Sequence, residues 1–133
     1  MLDRRMQVVV TDFCLSSCAN YLFVAGETKI VLGHMMVAWH GGPPGYVPTA
    51  TGQQRPPWLG ALLARQAAFF ARIDVDEQLL YRPNPSSGVT AKNRDVRFWF
   101  WSAEELARIY RVRGIVWMPT WWEDRQTMIR GYD

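Results

Sequence analysis

The sequence predicts one α/β domain, a mainly parallel sheet flanked by helices. Residues 6–12 form an apolar, β-branched run, typical of a strand buried on both faces as in parallel sheets. Residues 16–25 follow as a compact helix, with serines and small residues in its first turn and Gly26 at its end. Residues 29–32 and 35–40 predict two further short strands. Strands alternating with helices indicate the α/β class.

The connections and the later elements follow from turn and capping signals. Residues 11–14 are expected to form a short turn, and residues 41–57, with four Gly and five Pro, a long loop. Helical spacing runs through residues 58–81, with a break near residues 74–76. A capping box opens a helix over residues 102–113, Gly114 stops it, and a last strand covers 115–118.

The length, charge and composition of the chain limit the classes of protein to which it can belong. The chain has 133 residues, 49% of them hydrophobic, which is enough for one domain with its own core. The net charge of +3 comes from scattered arginines rather than a basic stripe, so a nucleic-acid surface is not expected. No apolar run is long enough for a membrane span. Because the chain enters its first strand almost at once, we expect the domain to be truncated at the N-terminus, with no signal peptide in this sequence.

Tryptophans concentrate in the last third of the chain. Residues 98–101 predict a short aromatic strand. The indoles of this region could stack on sugars or bases, but such residues more often fill a core or an oligomer interface. A homo-oligomer is therefore one expectation. The tryptophans concerned are Trp99, Trp101, Trp117, Trp121 and Trp122.

The two cysteines, Cys14 and Cys18, lie four residues apart. Two thiols cannot complete a zinc site, which needs four ligands, and no metal or cofactor is expected. On one helix they would share a face and could form a disulfide, which would imply an oxidising compartment. Two buried thiols packing as small apolar groups explain the pair equally well. A thioredoxin-type redox role ranks last, because the two-residue spacer is absent.

A serine pair and a histidine are the candidate catalytic groups. Ser16 and Ser17 lie at the turn from strand to helix, where free backbone N–H groups can stabilise negative charge. A serine needs a base, and His40 ends a hydrophobic strand just before Gly41 and Gly42. Helix capping also explains the serines, and a hydrogen-bonded strand-end position also explains the histidine.

Two stretches resemble a known superfamily. The first resembles the nucleophile-to-histidine segment of the Clp protease proteolytic subunit, and its Cys-x-Ser-small-Cys form is closer to exported bacterial Clp-like proteins. It reads CLSSCANYLFVAGETKIVLGHMMVAWHGG. In the family, a hairpin-like pair of strands leads to the histidine. The second stretch resembles the Ser-Ala-x-Glu helix and following strand of the Clp/crotonase superfamily, and reads FWFWSAEELARIYRVRGIV.

The resemblance implies roles for individual residues. The Cys-x-Ser-small-Cys pattern places the nucleophile on Ser16, whereas counting back from the Ala-Gly at the helix end places it on Ser17. His40 takes the position of the base. The group that orients the imidazole should precede the Ser-Ala-x-Glu helix, where Asp95 is best placed. Asp74 and Asp76 are the alternatives.

The implied function is peptidase-type acyl transfer by a Clp-like serine hydrolase that acts on peptides or proteins. The resemblance also implies a periplasmic or exported location. In the family, an earlier strand-turn-helix unit supplies the oxyanion hole, and this sequence lacks it. Losing one such donor costs about 100- to 1,000-fold in rate, so an inactive binding or assembly module of the same fold is the alternative.

Overall fold

The computed structural model describes residues 5–33, 35–43, 56–85 and 98–119. The strands, in chain order, are β1 (Gln7–Val10), β2 (Phe13–Leu15), β3 (Thr28–Val31), β4 (Met36–Ala38) and β5 (Ile115–Trp117). The helices are a π-type helix at Cys18–Phe23, here called the elbow helix, α1 (Pro57–Ile73) and α2 (Ala103–Tyr110). A 3-10 turn covers Glu77–Leu80.

Parallel pairing organises both sheets. Strands β1, β3 and β5 form one parallel sheet in the order β1-β3-β5, and β2 and β4 form a second parallel pair. Parallel neighbours need crossover connections, and the elbow helix lies in those from β1 to β3 and from β2 to β4, whereas α1 and α2 lie between β3 and β5. The prediction of a mixed α/β domain with parallel sheets flanked by helices is therefore confirmed.

The first strand is divided between the two sheets. The sequence predicted one strand over residues 6–12 and a turn over 11–14, but a bend at Thr11 and Asp12 ends β1, and Phe13 begins β2. The pairing of residues 29–32 with 35–40 as a hairpin is also wrong. Strand β3 pairs with β1, and β4 pairs with β2, because each returns parallel to its partner after the elbow helix.

Gly26 ends the helical segment, as predicted, and a glycine is needed there because of a contact with β1. A Cβ at Gly26 would stand 2.6 Å from the Val8 Cγ2 on β1. Only a residue without a side chain lets the end of the helix approach the strand this closely. The glycine therefore sets the spacing between the helix and the first sheet.

The predicted break in the long helical segment is confirmed. Helix α1 starts with prolines, which suit a first turn whose N–H groups have no helical partner. It ends where Asp74 adopts a left-handed φ of 54°. The Asp76 side chain then accepts a hydrogen bond from the Gln78 backbone N–H at 2.9 Å and caps the 3-10 turn.

The capping box of α2 is confirmed, whereas its predicted end is wrong. The Ser102 hydroxyl accepts from the Glu105 backbone N–H at 3.1 Å, and the Glu105 carboxylate accepts from the Ser102 backbone N–H at 2.9 Å. The helix stops at Tyr110, because Arg111 takes a left-handed φ of 61°. Gly114 has a different role: a Cβ there would lie 1.9 Å from the Glu27 carbonyl oxygen.

Aromatic side chains fill the core between these elements. Trp39 and Trp99 are fully buried and exchange two backbone hydrogen bonds across an antiparallel bridge, at 3.0 and 2.8 Å. Trp101 packs edge-on against Tyr110, with ring centroids 5.1 Å apart. Trp99 and Trp101 therefore serve the core. Trp117 is exposed, and Trp121 and Trp122 lie outside the described residues.

Within the described ranges, none of the helices is both long enough and apolar enough to cross a membrane.

Candidate functional site

Ser16 occupies a strained turn between β2 and the elbow helix. Its φ is 52°, in the left-handed region that a non-glycine residue enters at a cost of about 1 kcal/mol or more. Its carbonyl already accepts a hydrogen bond from the Asn20 backbone N–H at 2.8 Å, so the helix starts directly after it. A serine in a sharp strand-to-helix turn is the local geometry of nucleophile elbows. Such backbone outliers cluster at functional sites.

A disulfide spans this turn. Cys14 and Cys18 are bonded, with their Cα atoms 5.1 Å apart. The expected disulfide is thus confirmed and the pair of free thiols is wrong. The two residues do not share a helix face, because Cys14 lies on β2 and Cys18 begins the elbow helix. The covalent ring encloses Ser16 and restrains its backbone, and it is compatible with an oxidising compartment.

The structure brings the backbones of Ser16 and His40 to the same sheet edge. Leu15 of β2 pairs in parallel with Ala38 of β4, and the Ser16 backbone N–H donates to the Ala38 carbonyl at 3.1 Å. His40 follows Ala38 by two residues. The carboxyl ends of neighbouring parallel strands are where α/β sheets present functional groups.

Asn20 makes a second connection between the helix and the histidine segment. Its side-chain Nδ2 donates to the Gly41 carbonyl at 2.8 Å, and the side chain is buried. His40 therefore lies between two anchored points, Ala38 and Gly41. Asn20 was not predicted as a functional residue from the sequence. The signal was a single amide in an otherwise small and apolar helical segment, four residues after Ser16.

A polar network holds the chain just beyond His40. Tyr21 donates its hydroxyl hydrogen to Gln66 Oε1, and Gln66 Nε2 donates to the Tyr81 hydroxyl oxygen, both at 2.8 Å. The Tyr81 hydroxyl in turn donates to the Pro43 carbonyl at 3.1 Å. Burial raises the pKa of Tyr21, so its hydroxyl stays a donor up to alkaline pH. The network thus joins the elbow helix and α1 to the segment after the histidine.

His40 is half-buried and stacks on an aromatic ring. Its imidazole lies 5.0 Å from the Phe98 ring centroid, at an interplanar angle of 29°. Strand alternation puts it on the face of Met36 and Ala38, which belong to a small cluster with Phe98 and Phe100. This stacking covers one face of the imidazole ring.

Ser17 differs from Ser16 in conformation and contacts. It has ordinary helical dihedrals and is exposed, and its side chain makes no capping hydrogen bond among the described residues. The capping explanation is therefore wrong for Ser17. Ser16, with its left-handed backbone, is the more constrained of the two serines.

Of the three predicted acids, only Asp74 and Asp76 belong to the part of the chain that the structure describes. Asp95 lies outside the described residues. Asp74 forms ion pairs with Arg111 at 3.3 Å and Arg113 at 2.8 Å, and Asp76 caps the 3-10 turn. Both of these carboxylates have structural contacts of their own.

No known protein family, curated protein or solved structure matches this chain.

Proposed function

We propose that the chain is a serine hydrolase that acts on peptide bonds by acyl transfer, with Ser16 as nucleophile and His40 as general base. The observation that carries the proposal is the shared sheet edge, where a serine with left-handed φ adjoins the end of β4, two residues before His40. The disulfide and the Asn20 hydrogen bond restrain both sides of this edge. Preorganisation of this kind favours catalysis, because reacting groups need no reordering.

Each proposed catalytic group has its own role in the acyl-transfer reaction. His40 takes the hydroxyl proton as the Ser16 oxygen forms a bond to the scissile carbonyl carbon, and it then gives that proton to the leaving amine as the C–N bond breaks. Water repeats the sequence on the acyl-enzyme. The first N–H groups of the elbow helix have no carbonyl partner within the helix, so they can donate to the developing oxyanion. Asp95 remains the proposed group that orients the imidazole.

The proposal also includes a family relationship and a cellular location for the chain. The motif around Cys14 and Cys18 resembles the exported Clp-like proteins, within the Clp/crotonase superfamily, and a disulfide suits a periplasmic or exported enzyme. Peptides or proteins would be its substrates, and assembly into a homo-oligomer would follow the family pattern.

A second candidate is a non-catalytic binding or assembly module. The His40 ring stacks on Phe98, and this contact suits a histidine that packs as well as one that transfers protons. In that case the elbow and its disulfide would only stabilise the fold.

Labelling with a fluorophosphonate probe separates the two candidates, because the probe reacts with activated serines. The oxidised wild-type chain should be labelled, and Ser16→Ala and His40→Gln should each abolish labelling. Ser17→Ala is the matched control and should label normally. Loss of labelling only in Ser17→Ala would move the nucleophile by one residue, and no labelling of any folded variant would favour the binding module.

A further inference from the structure

A cavity of about 320 Å³ lies away from the serine, where the ends of the elbow helix and α1 meet the start of β3. The cavity is lined by four cationic side chains and by one carboxylate, that of Glu27. The cations are Lys29, Arg72, Arg111 and Arg113. The volume falls at the lower end of the range for small-molecule sites. Cationic lining in such a cavity selects for negatively charged ligands.

Lys29 is the buried charge at this cavity. Its side chain is only 2% exposed, and its Nζ donates to the Gly26 carbonyl at 2.6 Å and to the Arg113 carbonyl at 2.5 Å. An ammonium group has three donors, so one N–H remains after these two bonds. No carboxylate of the described residues forms an ion pair with Lys29. A buried cation without a counter-ion is costly, and an anion in the cavity would remove that cost.

The arginines at the rim can contribute further donors. Arg111 and Arg113 are both held by Asp74, and their side chains are 50% and 73% exposed. Guanidinium groups present paired N–H donors that match the oxygens of phosphate and carboxylate groups. Asp74 both positions the two arginines and competes for their charge.

We propose that this cavity binds a small metabolite through an oxyanion, a phosphate or a carboxylate group, with Lys29 at its base and Arg113 at its rim. The ligand's oxygen accepts the remaining N–H of Lys29, and the guanidinium group of Arg113 takes a second oxygen. The site is independent of the serine chemistry, so its test does not depend on hydrolase activity.

The charge of Lys29 makes the binding pH-dependent. Desolvation lowers the pKa of Lys29 to about 8, so the ammonium form is lost as the pH rises above that value. The other charged groups at the cavity are Glu27, Arg72, Asp74, Arg111 and Arg113. Anion affinity should therefore fall as the pH rises through about 8.

Thermal unfolding of the full oxidised chain tests the site, because a ligand that binds only the folded state raises the melting temperature. Inorganic phosphate and acetate are the two probes, with chloride at matched ionic strength as the control. A rise with phosphate alone identifies a phosphate site, and a rise with acetate as well identifies a general oxyanion site. Either result supports the proposal. Equal behaviour of phosphate, acetate and chloride would overturn it.

Two variants with opposite expected effects on phosphate affinity distinguish a loss of binding from a loss of folding. Asp74→Asn keeps a residue that tolerates left-handed φ and frees both arginines, so phosphate should bind about three- to tenfold more tightly. Arg113→Ser should weaken binding about tenfold by removing charged donors. Unchanged affinity in both variants would contradict the assignment. Lys29→Met should abolish binding if it folds, and retained binding in folded Lys29→Met would also contradict it.

Discussion

Replacing Lys29 by methionine should change how the stability of the domain depends on pH. Lys29 is buried, and desolvation lowers its pKa from 10.5 to about 8. Each unit of pKa is equivalent to about 1.4 kcal/mol, so the folded state disfavours the ammonium form by about 3 kcal/mol. Because the unfolded chain binds the proton more tightly, the free energy of unfolding rises with pH between about 8 and 10.5. Below that window the full cost of the buried charge is present.

Urea unfolding followed by tryptophan fluorescence measures this effect. The free energy of unfolding of the wild type, relative to Lys29→Met, should rise by about 2 kcal/mol from about pH 7 to about pH 9.5. The raised pKa values of Tyr21 and Tyr110 act in the opposite direction only as the pH approaches 10, and they cancel in the comparison. A difference between the two proteins that stays constant with pH would refute the account of Lys29 as a buried, unneutralised cation.

Replacing Cys14 and Cys18 together by serine should lower the free energy of unfolding by about 2 kcal/mol, which denaturant titration against the oxidised wild type will show; an unchanged midpoint would mean that the short ring does not stabilise the turn. Gly114→Ala should lower the free energy of unfolding by more than about 3 kcal/mol, because its Cβ would overlap the Glu27 carbonyl oxygen. Gly60 lies on α1 with open space around it, so Gly60→Ala should raise the free energy of unfolding by about 0.5 to 1 kcal/mol. Equal effects of these two substitutions on the melting temperature would contradict the packing described here. Ser102→Ala should cost about 1 kcal/mol by breaking the capping box, while Ser17→Ala should change stability by less than about 0.5 kcal/mol. The reverse order would show that Ser17 caps the elbow helix.

Local signals predicted the elements whose causes are local. The capping box at Ser102 and Glu105 is a short-range pattern, and it appears in the structure with both hydrogen bonds. The break after α1 was also visible, because a cluster of aspartates interrupts the apolar spacing. The succession of a β-branched strand and a helix of small residues was also predicted, although the turn was placed at residues 11–14 and β2 was missed. These features depend on residues within a few positions of one another.

Other features depend on contacts between residues that are distant in the sequence, and they were not predicted. Nothing near Gly114 shows that the Glu27 carbonyl will lie against it. Lysine is ordinarily exposed, so the burial of Lys29 could not be read from its neighbours. The bend at Thr11 and Asp12 could not be predicted either, because it arises where β1 pairs within one sheet and β2 pairs within the other. Asn20 gains its role only when Gly41 returns beside the elbow helix.

The central claim is a contact between one hydroxyl and one imidazole. A crystal structure of the oxidised chain after reaction with a small fluorophosphonate measures it directly. The account predicts phosphorus bonded to the Ser16 Oγ and a His40 ring nitrogen within about 3.5 Å of that oxygen. Phosphorus on another residue, or an imidazole turned to the opposite face of the β2–β4 sheet, would contradict it.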